Sequence, residues 1–227
     1  MMDIITSSPL FGLFISFLAF GIGTVLFNKF KTPLFNPLLL AIICCIALIQ
    51  TGVISYDKYM EDTAILANLL PAATALLAVN IYKQLKVVKK YAVAIIVSCL
   101  AGSVTSIGCV VLLCKLFGVD KAIEASFIGK SCTTPIALEI SLMNGGMAGI
   151  TVIAVICTGI VGAVLAPSLA KLFRVKSPVA EGLAIGTCSH VIGTTKAVEI
   201  GEIQAALSGV AIGICGLLTV ILVTIFY

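Results

Sequence analysis

The twelve residues IGTCSHVIGTTK, from Ile185 to Lys196, place the only histidine of the chain, His190, among hydroxyl residues and a lysine. Imidazole, hydroxyl and ammonium groups can bind an anion, and a histidine with a reference pKa of about 6.5 can carry a proton. A second stretch, KSCTTPIALEIS from Lys130 to Ser141, combines paired threonines with a lysine and a glutamate. Both stretches therefore hold side chains that could bind a small charged ligand.

The second stretch also predicts the start of a helix. Thr134 is a good N-cap residue, and Pro135 fits the first helical position. The first N–H groups of a helix have no intrahelical acceptor, and that end of the helix carries a partial positive charge. At membrane depth these groups must face protein, water or a ligand. The sequence therefore predicts an anion site at this helix start.

The two stretches share an order of residues that points to one ligand. GTTKAVEI (Gly193–Ile200) follows CTTPIALEI (Cys132–Ile140) in having paired threonines, a short apolar stretch and then Glu-Ile. Two half-helices of this kind would present hydroxyls to one place, and Lys196 would add a positive charge, which suits a small carboxylate. The predicted binding residues are Thr133, Thr134, His190, Thr194, Thr195 and Lys196, with Asn68 and Glu139 as secondary candidates. The predicted structural breaks are Pro71, Pro135, Gly186 and Gly193.

Two interpretations of His190 remain open from the sequence. Ionisable groups at membrane depth are costly and usually line a pathway, but a core histidine bonded to a neighbouring helix is the alternative. Six residues turn a helix by about 600°, so His190 and Lys196 share a site only if the helix unwinds near Gly193. Lys130 has the simpler interpretation that its side chain reaches along the apolar surface to water.

Composition decides the class of protein that must position these groups. The chain has 227 residues, of which 60% are hydrophobic and 11% charged, whereas soluble domains carry roughly 25% charged residues. Mean hydropathy is +1.22. We therefore predict an all-α polytopic membrane protein with about 7–8 hydrophobic segments. Long apolar runs cover Leu10–Phe27, Leu38–Ile54, Ala92–Leu113, Thr151–Leu172 and Leu207–Phe226.

The charged loops predict the topology. The loops 28–33, 82–90 and 171–176 are rich in lysine and arginine, and such loops remain cytoplasmic. If residues 122–143 crossed the membrane fully, the loop 171–176 would lie outside. Either this segment enters and returns, with Asn144–Gly146 outside, or it crosses as a distorted helix. The first reading gives inverted halves at about 34–115 and 148–227, a pattern typical of transporters, within a single integral membrane domain, residues 1–227.

Other classes of function are excluded. The net charge of +4 lies in short loops, which does not indicate nucleic acid binding. The nine cysteines form no CxxC pair and read as small hydrophobes, so we expect no metal and no cofactor. GKS at Gly129–Ser131 is not a P-loop because Glu124 stands where glycine is required. HExxH and GxSxG are absent, so we expect no enzyme. The first apolar run lacks a basic flank and a cleavage site, so we expect it to remain as an anchor.

These stretches carry a family resemblance. KSCTTPIALEIS and GLAIGTCSHVIGTTKA closely resemble two signature stretches of the LrgB/CidB family, and LLPAATALLAVNIYKQ (Leu69–Gln84) resembles a third. The likeness runs from about Leu10 to Phe226. It departs from the family in having Lys196 where arginine is frequent, which loses a bidentate grip on a carboxylate, and Asn80 where proline is frequent.

The resemblance implies function as well as fold. Bacterial members are described as antiholin-like modulators of murein hydrolase activity and autolysis, encoded beside a small holin-like LrgA/CidA-type membrane partner. Some bacterial systems are linked to pyruvate uptake, and a plastid relative exchanges glycolate and glycerate. We therefore expect a multi-pass protein of the bacterial cell (inner) membrane, embedded in the lipid bilayer, as a possible homo-oligomer. One hypothesis is alternating-access transport of small monocarboxylates, with threonines and Lys196 on the carboxylate and His190 binding substrate or carrying a proton. The other is an antiholin-like regulatory subunit.

Overall fold

A computed structural model describes residues 8–30, 35, 37–69, 72, 75, 79, 82–83 and 85–227. Among these residues the chain forms nine helices longer than a single turn, and no strand. They divide into two compact units, Met1–Pro71 and Ala72–Tyr227. The prediction of an all-α fold is therefore confirmed, while the inverted halves stay a prediction.

The described residues of the first unit form three helices: α1 (Phe11–Phe30), α2 (Pro37–Gln50) and α3 (Tyr56–Asn68). The core between α1 and α2 is formed by small and branched side chains, namely Ile15, Ala19, Ala41 and Cys45. Gly23 permits the close approach of the two helices, because a Cβ atom there would lie 2.8 Å from the Cα of Pro37. Ser55 caps α3 by accepting a hydrogen bond from the Lys58 N–H at 3.4 Å.

A buried carboxylate joins α3 to the start of α1. Asp62 accepts a hydrogen bond from the Gly12 N–H at 2.9 Å and one from Lys58 Nζ at 2.7 Å. Burial alone would raise the pKa of Asp62, but the hydrogen bonds from Lys58 and Gly12 outweigh it and hold the pKa below its usual value. Asp62 therefore acts as a tertiary cap for the positive end of α1.

The described residues of the second unit form six helices longer than a single turn. They are α4 (Leu85–Phe117), α5 (Lys121–Ile128), α6 (Thr134–Met143), α7 (Ala148–Leu172), α8 (Pro178–Ile200) and α9 (Glu202–Phe226). The largest core cluster joins α4, α8 and α9 through Ile95, Cys99, Leu183, Leu207, Val210, Ala211 and Cys215. Gly182 and Gly186 bring α8 against the backbone of α9, since a Cβ atom at Gly182 would lie 2.7 Å from the Gln204 carbonyl oxygen.

Four of the described helices, α1, α4, α7 and α9, are long and apolar enough to cross a membrane. Their exposed faces carry large apolar side chains, as lipid-facing surfaces do. These helices support the prediction of a multi-pass membrane protein. The segment 122–143 is broken as expected, into α5 and α6. At about 1.5 Å of rise per residue neither piece alone spans a bilayer about 30 Å thick. Whether the pair crosses or returns stays a prediction.

Candidate functional site

The first candidate region is the break between α5 and α6, residues Gly129 to Thr133. Its turns are closed by backbone bonds from Lys130 N–H to the Phe127 carbonyl at 3.1 Å and from Cys132 N–H to the Gly129 carbonyl at 2.9 Å. Thr133, with an extended backbone, is the N-cap of α6, and Pro135 lies in its first turn. The helix therefore begins one residue earlier than the sequence predicted, with Thr134 as its first residue.

Thr133 holds an unusual hydroxyl group. Its side chain is only 5% exposed, and its Oγ1 is the one fully buried side-chain N or O atom of the described residues that has no hydrogen-bond partner. It makes no cap bond to α6 either. A buried hydroxyl without a partner costs about 1–3 kcal/mol. Because Thr133 is the N-cap, this hydroxyl lies at the end of α6 where the first N–H groups have no intrahelical acceptor.

A cation lies on the same short segment. Lys130 is half-buried three residues before Thr133 and takes part in none of the ion pairs found among the described residues. It lies close enough to Cys188 on α8 to interact with it electrostatically. Sequence reasoning assigned Lys130 to the aqueous surface, and its place beside the break makes it the nearer candidate for the positive charge of an anion site.

The second candidate region is the break in α8, which lies at His190. The backbone there has φ 42° and ψ −141°, between two helical stretches. The left-handed region is unusual for a residue with a side chain and is typical of functional or strained positions. The helix was predicted to unwind near Gly193, and the chain opens three residues before it, at His190, while Gly186 and Gly193, which were predicted as break points, keep helical backbones.

Helix α7 is the physical reason that the break falls at His190. A Cβ atom at Gly159 would lie 2.5 Å from His190 Cε1, and one at Gly162 would overlap Ser189 Oγ. These two glycines therefore leave the space into which the distorted turn packs. His190 Nε2 lies 2.8 Å from the Val155 carbonyl oxygen on α7. Because a carbonyl can only accept, Nε2 carries a proton, and Nδ1 is the nitrogen that can gain or lose one.

Both breaks border the same part of α9. The thiol of Cys215 lies beside that of Cys132 in the α5–α6 break, and it donates to the Thr187 carbonyl, one turn before His190, at 3.7 Å. Ser103 on α4 lies 3.2 Å from the same thiol. Small polar side chains thus connect the two breaks through the core. The sequence analysis did not identify this polar connection, although Cys99, Ser103 and Ser106 recur at helical spacing on α4.

The remaining predicted residues of the first stretch, Ile185–Lys196, are arranged differently from the expectation. Thr194 donates to the His190 carbonyl at 2.9 Å and lies 2.6 Å from Ser208 Oγ on α9. Thr195 is exposed and donates to the Ile192 carbonyl at 2.7 Å. Lys196 Nζ forms an ion pair with Glu199 at 2.6 Å. Its charge is therefore already balanced by a carboxylate of its own helix, because the two side chains are one turn apart.

Two of the remaining predicted residues are exposed. Glu139 is exposed on α6, and Asn68 is exposed at the end of α3 in the first unit. Pro71 and Asn80 lie outside the described residues. Among the described residues no group of three His, Cys, Asp or Glu side chains could hold a metal ion. The nine cysteines are all free thiols.

Comparison with known proteins places the chain in a family. It matches the LrgB-like family over residues 16–227. It is 39% identical over 222 residues to the antiholin-like protein LrgB of Bacillus subtilis (strain 168), covering 97% of this chain and 96% of that protein. The antiholin-like LrgB proteins of Bacillus mycoides (strain KBAB4) and Bacillus cereus (strain B4264) are each 36% identical over the same shares. No solved structure matches. The chain therefore belongs to the LrgB-like family, and the resemblance is confirmed.

Proposed function

We propose that this LrgB-like protein is an antiholin-like membrane subunit, which restrains a small holin-like membrane partner in the bacterial cell membrane and thereby slows murein hydrolysis and autolysis. The observation that carries the proposal is its likeness to relatives named antiholin-like proteins, at 39% identity over 97% of the chain. A likeness over almost the whole length includes every helix from α1 to α9. The exposed apolar faces of the spanning helices offer a membrane-embedded partner a surface of the right chemistry.

The test of this role is a lysis measurement in living cells. The chain is expressed in a bacterium that lacks its own LrgB-like protein, and its amount in the membrane is checked by immunoblot. We expect slower detergent-induced lysis and weaker murein hydrolase bands in zymograms than with empty vector. The difference should vanish in a strain that also lacks the holin-like partner. Equal lysis with and without the protein, at a verified membrane level, would overturn this role.

A second candidate function is the translocation of a small monocarboxylate, such as pyruvate, glycolate, glycerate or lactate. The specific observation in its favour is the unpartnered, buried Thr133 hydroxyl at the start of α6. In this proposal the carboxylate accepts hydrogen bonds from Thr133 Oγ1 and the first N–H groups of α6, and Lys130 supplies the charge. His190 stands at the second break, and its Nδ1 binds or releases a coupled proton. Charge-assisted hydrogen bonds contribute about 1.5–3 kcal/mol each.

Uptake into proteoliposomes tests this candidate. Labelled pyruvate, glycolate, glycerate and lactate are offered to vesicles that hold the purified protein, with and without the holin-like partner. We expect uptake of at least one acid, reduced about tenfold or more by Thr133→Val, since about 1.4 kcal/mol corresponds to one decade. Thr224→Val is the matched control, because Thr224 is exposed and bonded to the Val220 carbonyl of its own helix at 2.8 Å. Uptake equal to protein-free vesicles for every acid would reject transport and leave the antiholin-like role standing alone.

A further inference from the structure

The amino-terminal end of α4 carries a concentrated positive charge. Lys83, Lys86, Lys89 and Lys90 lie within eight residues and are all exposed. Exposed Tyr82 and half-buried Tyr91 flank them. Tyrosines with an apolar ring and a polar tip favour the boundary between hydrocarbon and headgroups. Because the rest of α4 is one of the spanning helices, this end of the helix lies at the level of the lipid headgroups.

The helix is bent at this boundary, and a cavity lies at the bend. Tyr91 has φ −115° and ψ 19°, outside helical values, within the long helix. Lys90 Nζ lies 5.1 Å from the centre of the Tyr91 ring. A cavity of about 510 Å³ lies at the bend, lined by Lys89, Lys90, Tyr91, Ala92, Val93, Ala94 and Val97. Its upper rim is therefore cationic, and its lower wall is apolar.

We propose that this cavity binds an anionic phospholipid of the surrounding bilayer, with the phosphate between Lys89 and Lys90 and an acyl chain along Val93 and Val97. The two valine side chains are 77% and 60% exposed, so an apolar surface continues directly below the ammonium groups. A free phosphate or a soluble anion would satisfy the lysines and leave that wall uncovered. A zwitterionic lipid would cover the wall and bring a positive group of its own to the lysines. Basic clusters at helix ends attract anionic lipids in this way.

This lipid site is separate from both helix breaks and rests on neither proposed function. Its residues belong to the first turns of α4, whereas the candidate carboxylate site lies between α5 and α6. A bound lipid would hold the short segment before Tyr91 against the membrane surface, because its headgroup contacts residues on one side of the bend and its chain contacts residues on the other. We therefore expect the lipid to stabilise the protein.

The experiment compares phospholipids with identical acyl chains and different headgroups. The purified chain is titrated in detergent with phosphatidylglycerol or phosphatidylcholine, and the melting temperature and the lipid adducts in native mass spectra are recorded. We expect phosphatidylglycerol to bind at lower concentration and to raise the melting temperature. In Lys89→Gln/Lys90→Gln its apparent affinity should fall roughly tenfold or more. Lys115→Gln, an exposed lysine at the opposite end of α4, is the matched control and should leave the affinity unchanged.

Three results would overturn the proposal. One is an equal loss of affinity in Lys115→Gln, which would mean that only the total charge matters. Another is full stabilisation by sn-glycerol 3-phosphate without acyl chains, which would mean a soluble anion site. The third is unchanged lipid binding in Val97→Asn, which makes the apolar wall polar. Each variant is first measured in phosphatidylcholine, so a folding defect appears as a lower starting melting temperature and is not mistaken for lost lipid binding.

Discussion

The starts of α1 and α6 offer similar hydrogen-bond donors, but they differ in whether an acceptor is present. At α1 the Gly12 N–H and the Lys58 ammonium hold the carboxylate of Asp62, with distances of 2.9 and 2.7 Å. At α6 the Thr133 hydroxyl has no partner, and Lys130 lies three residues before it without an ion pair among the described residues. Both regions combine a helix start and a lysine, but among the described residues a carboxylate accepts hydrogen bonds at the first and none accepts from Thr133 at the second.

Burial does not explain the difference. Asp62 is 6% exposed and Thr133 is 5% exposed, so water is excluded from the two side chains to the same extent. What differs is the supply of an acceptor, because α3 brings a carboxylate to α1 and no described residue brings one to Thr133. At α1, where the role is structural, a carboxylate of the chain itself accepts the hydrogen bonds of the helix start. A site for an external carboxylate requires a helix start that is equally buried but lacks an acceptor from the protein.

The largest effect on stability is expected at the start of α1, where Asp62 accepts the hydrogen bonds. Asp62→Ala leaves the Lys58 ammonium and the Gly12 N–H without their acceptor, and breaking a buried pair costs about 3–5 kcal/mol. Because Lys58 is partly exposed and can turn to water, we expect the lower part of that range as a loss in the free energy of unfolding of the first unit. Hydrogen exchange at the start of α1 measures it. The matched control is Asp57→Ala, an exposed acid of the same helix; a comparable loss there would contradict the assignment.

The same carboxylate predicts a dependence on pH. Its pKa is lowered in the folded protein, since the hydrogen bonds from Lys58 and Gly12 outweigh the effect of burial. Its stabilisation is therefore fully present above the ordinary carboxyl pKa and is lost as pH falls through the lowered value. Hydrogen exchange at Gly12 should accelerate relative to the rest of α1 only under acid conditions, and Asp62→Asn should remove that dependence. An identical acid response in Asp62→Asn would contradict this prediction.

The next effect distinguishes the two lysines considered for the open site. Lys130→Gln should weaken carboxylate affinity about tenfold or more, because a charge-assisted bond of about 1.5–3 kcal/mol is lost. Equilibrium binding of labelled substrate to the purified protein measures this loss. If Lys130→Gln binds like wild type while Lys196→Gln loses affinity, the charge belongs to α8, as the sequence alone predicted.

A smaller effect is expected where α7 accommodates the second break. Gly159→Ala places a Cβ atom 2.5 Å from His190 Cε1, and overpacking of this kind costs about 1–3 kcal/mol. Gly149→Ala on the same helix is the matched control, since nothing lies within 4 Å of a Cβ atom there. Thermal unfolding of the two variants compares them. Equal stability of both would mean that His190 does not depend on the space at Gly159.

The smallest effect is expected for Lys196→Gln. Lys196 is paired with Glu199 at 2.6 Å on a partly exposed face of α8, and ion pairs at such surfaces contribute about 0–1 kcal/mol. We expect stability and carboxylate affinity close to those of wild type. Thermal unfolding and substrate binding check both quantities, and a tenfold loss of affinity would return Lys196 to the site.

The sequence was sufficient where the determinants are local. Apolar runs predicted the all-α membrane class, and the Thr-Thr-Pro order predicted the start of α6 to within one residue, because capping depends on adjacent residues. The break in α8 was predicted near Gly193, but its position at His190 could not be read from the sequence, because Gly159 and Gly162 of another helix leave the space for it. The role of Cys215 between the breaks likewise depends on how side chains meet in three dimensions, whereas Lys196 and Glu199 lie one turn apart on α8, a spacing that the sequence itself shows.

The second candidate function requires the start of α6 to bind an external carboxylate, and ligand-induced thermal stabilisation of the purified protein tests this binding. The ligands are glycolate and its neutral amide, glycolamide, which has nearly the same shape without the charge. We expect glycolate to raise the melting temperature and glycolamide to leave it unchanged. We also expect Thr133→Val to remove the effect and Thr133→Ser, which keeps the hydroxyl, to retain it. Equal stabilisation of wild type and Thr133→Val by glycolate would contradict the account.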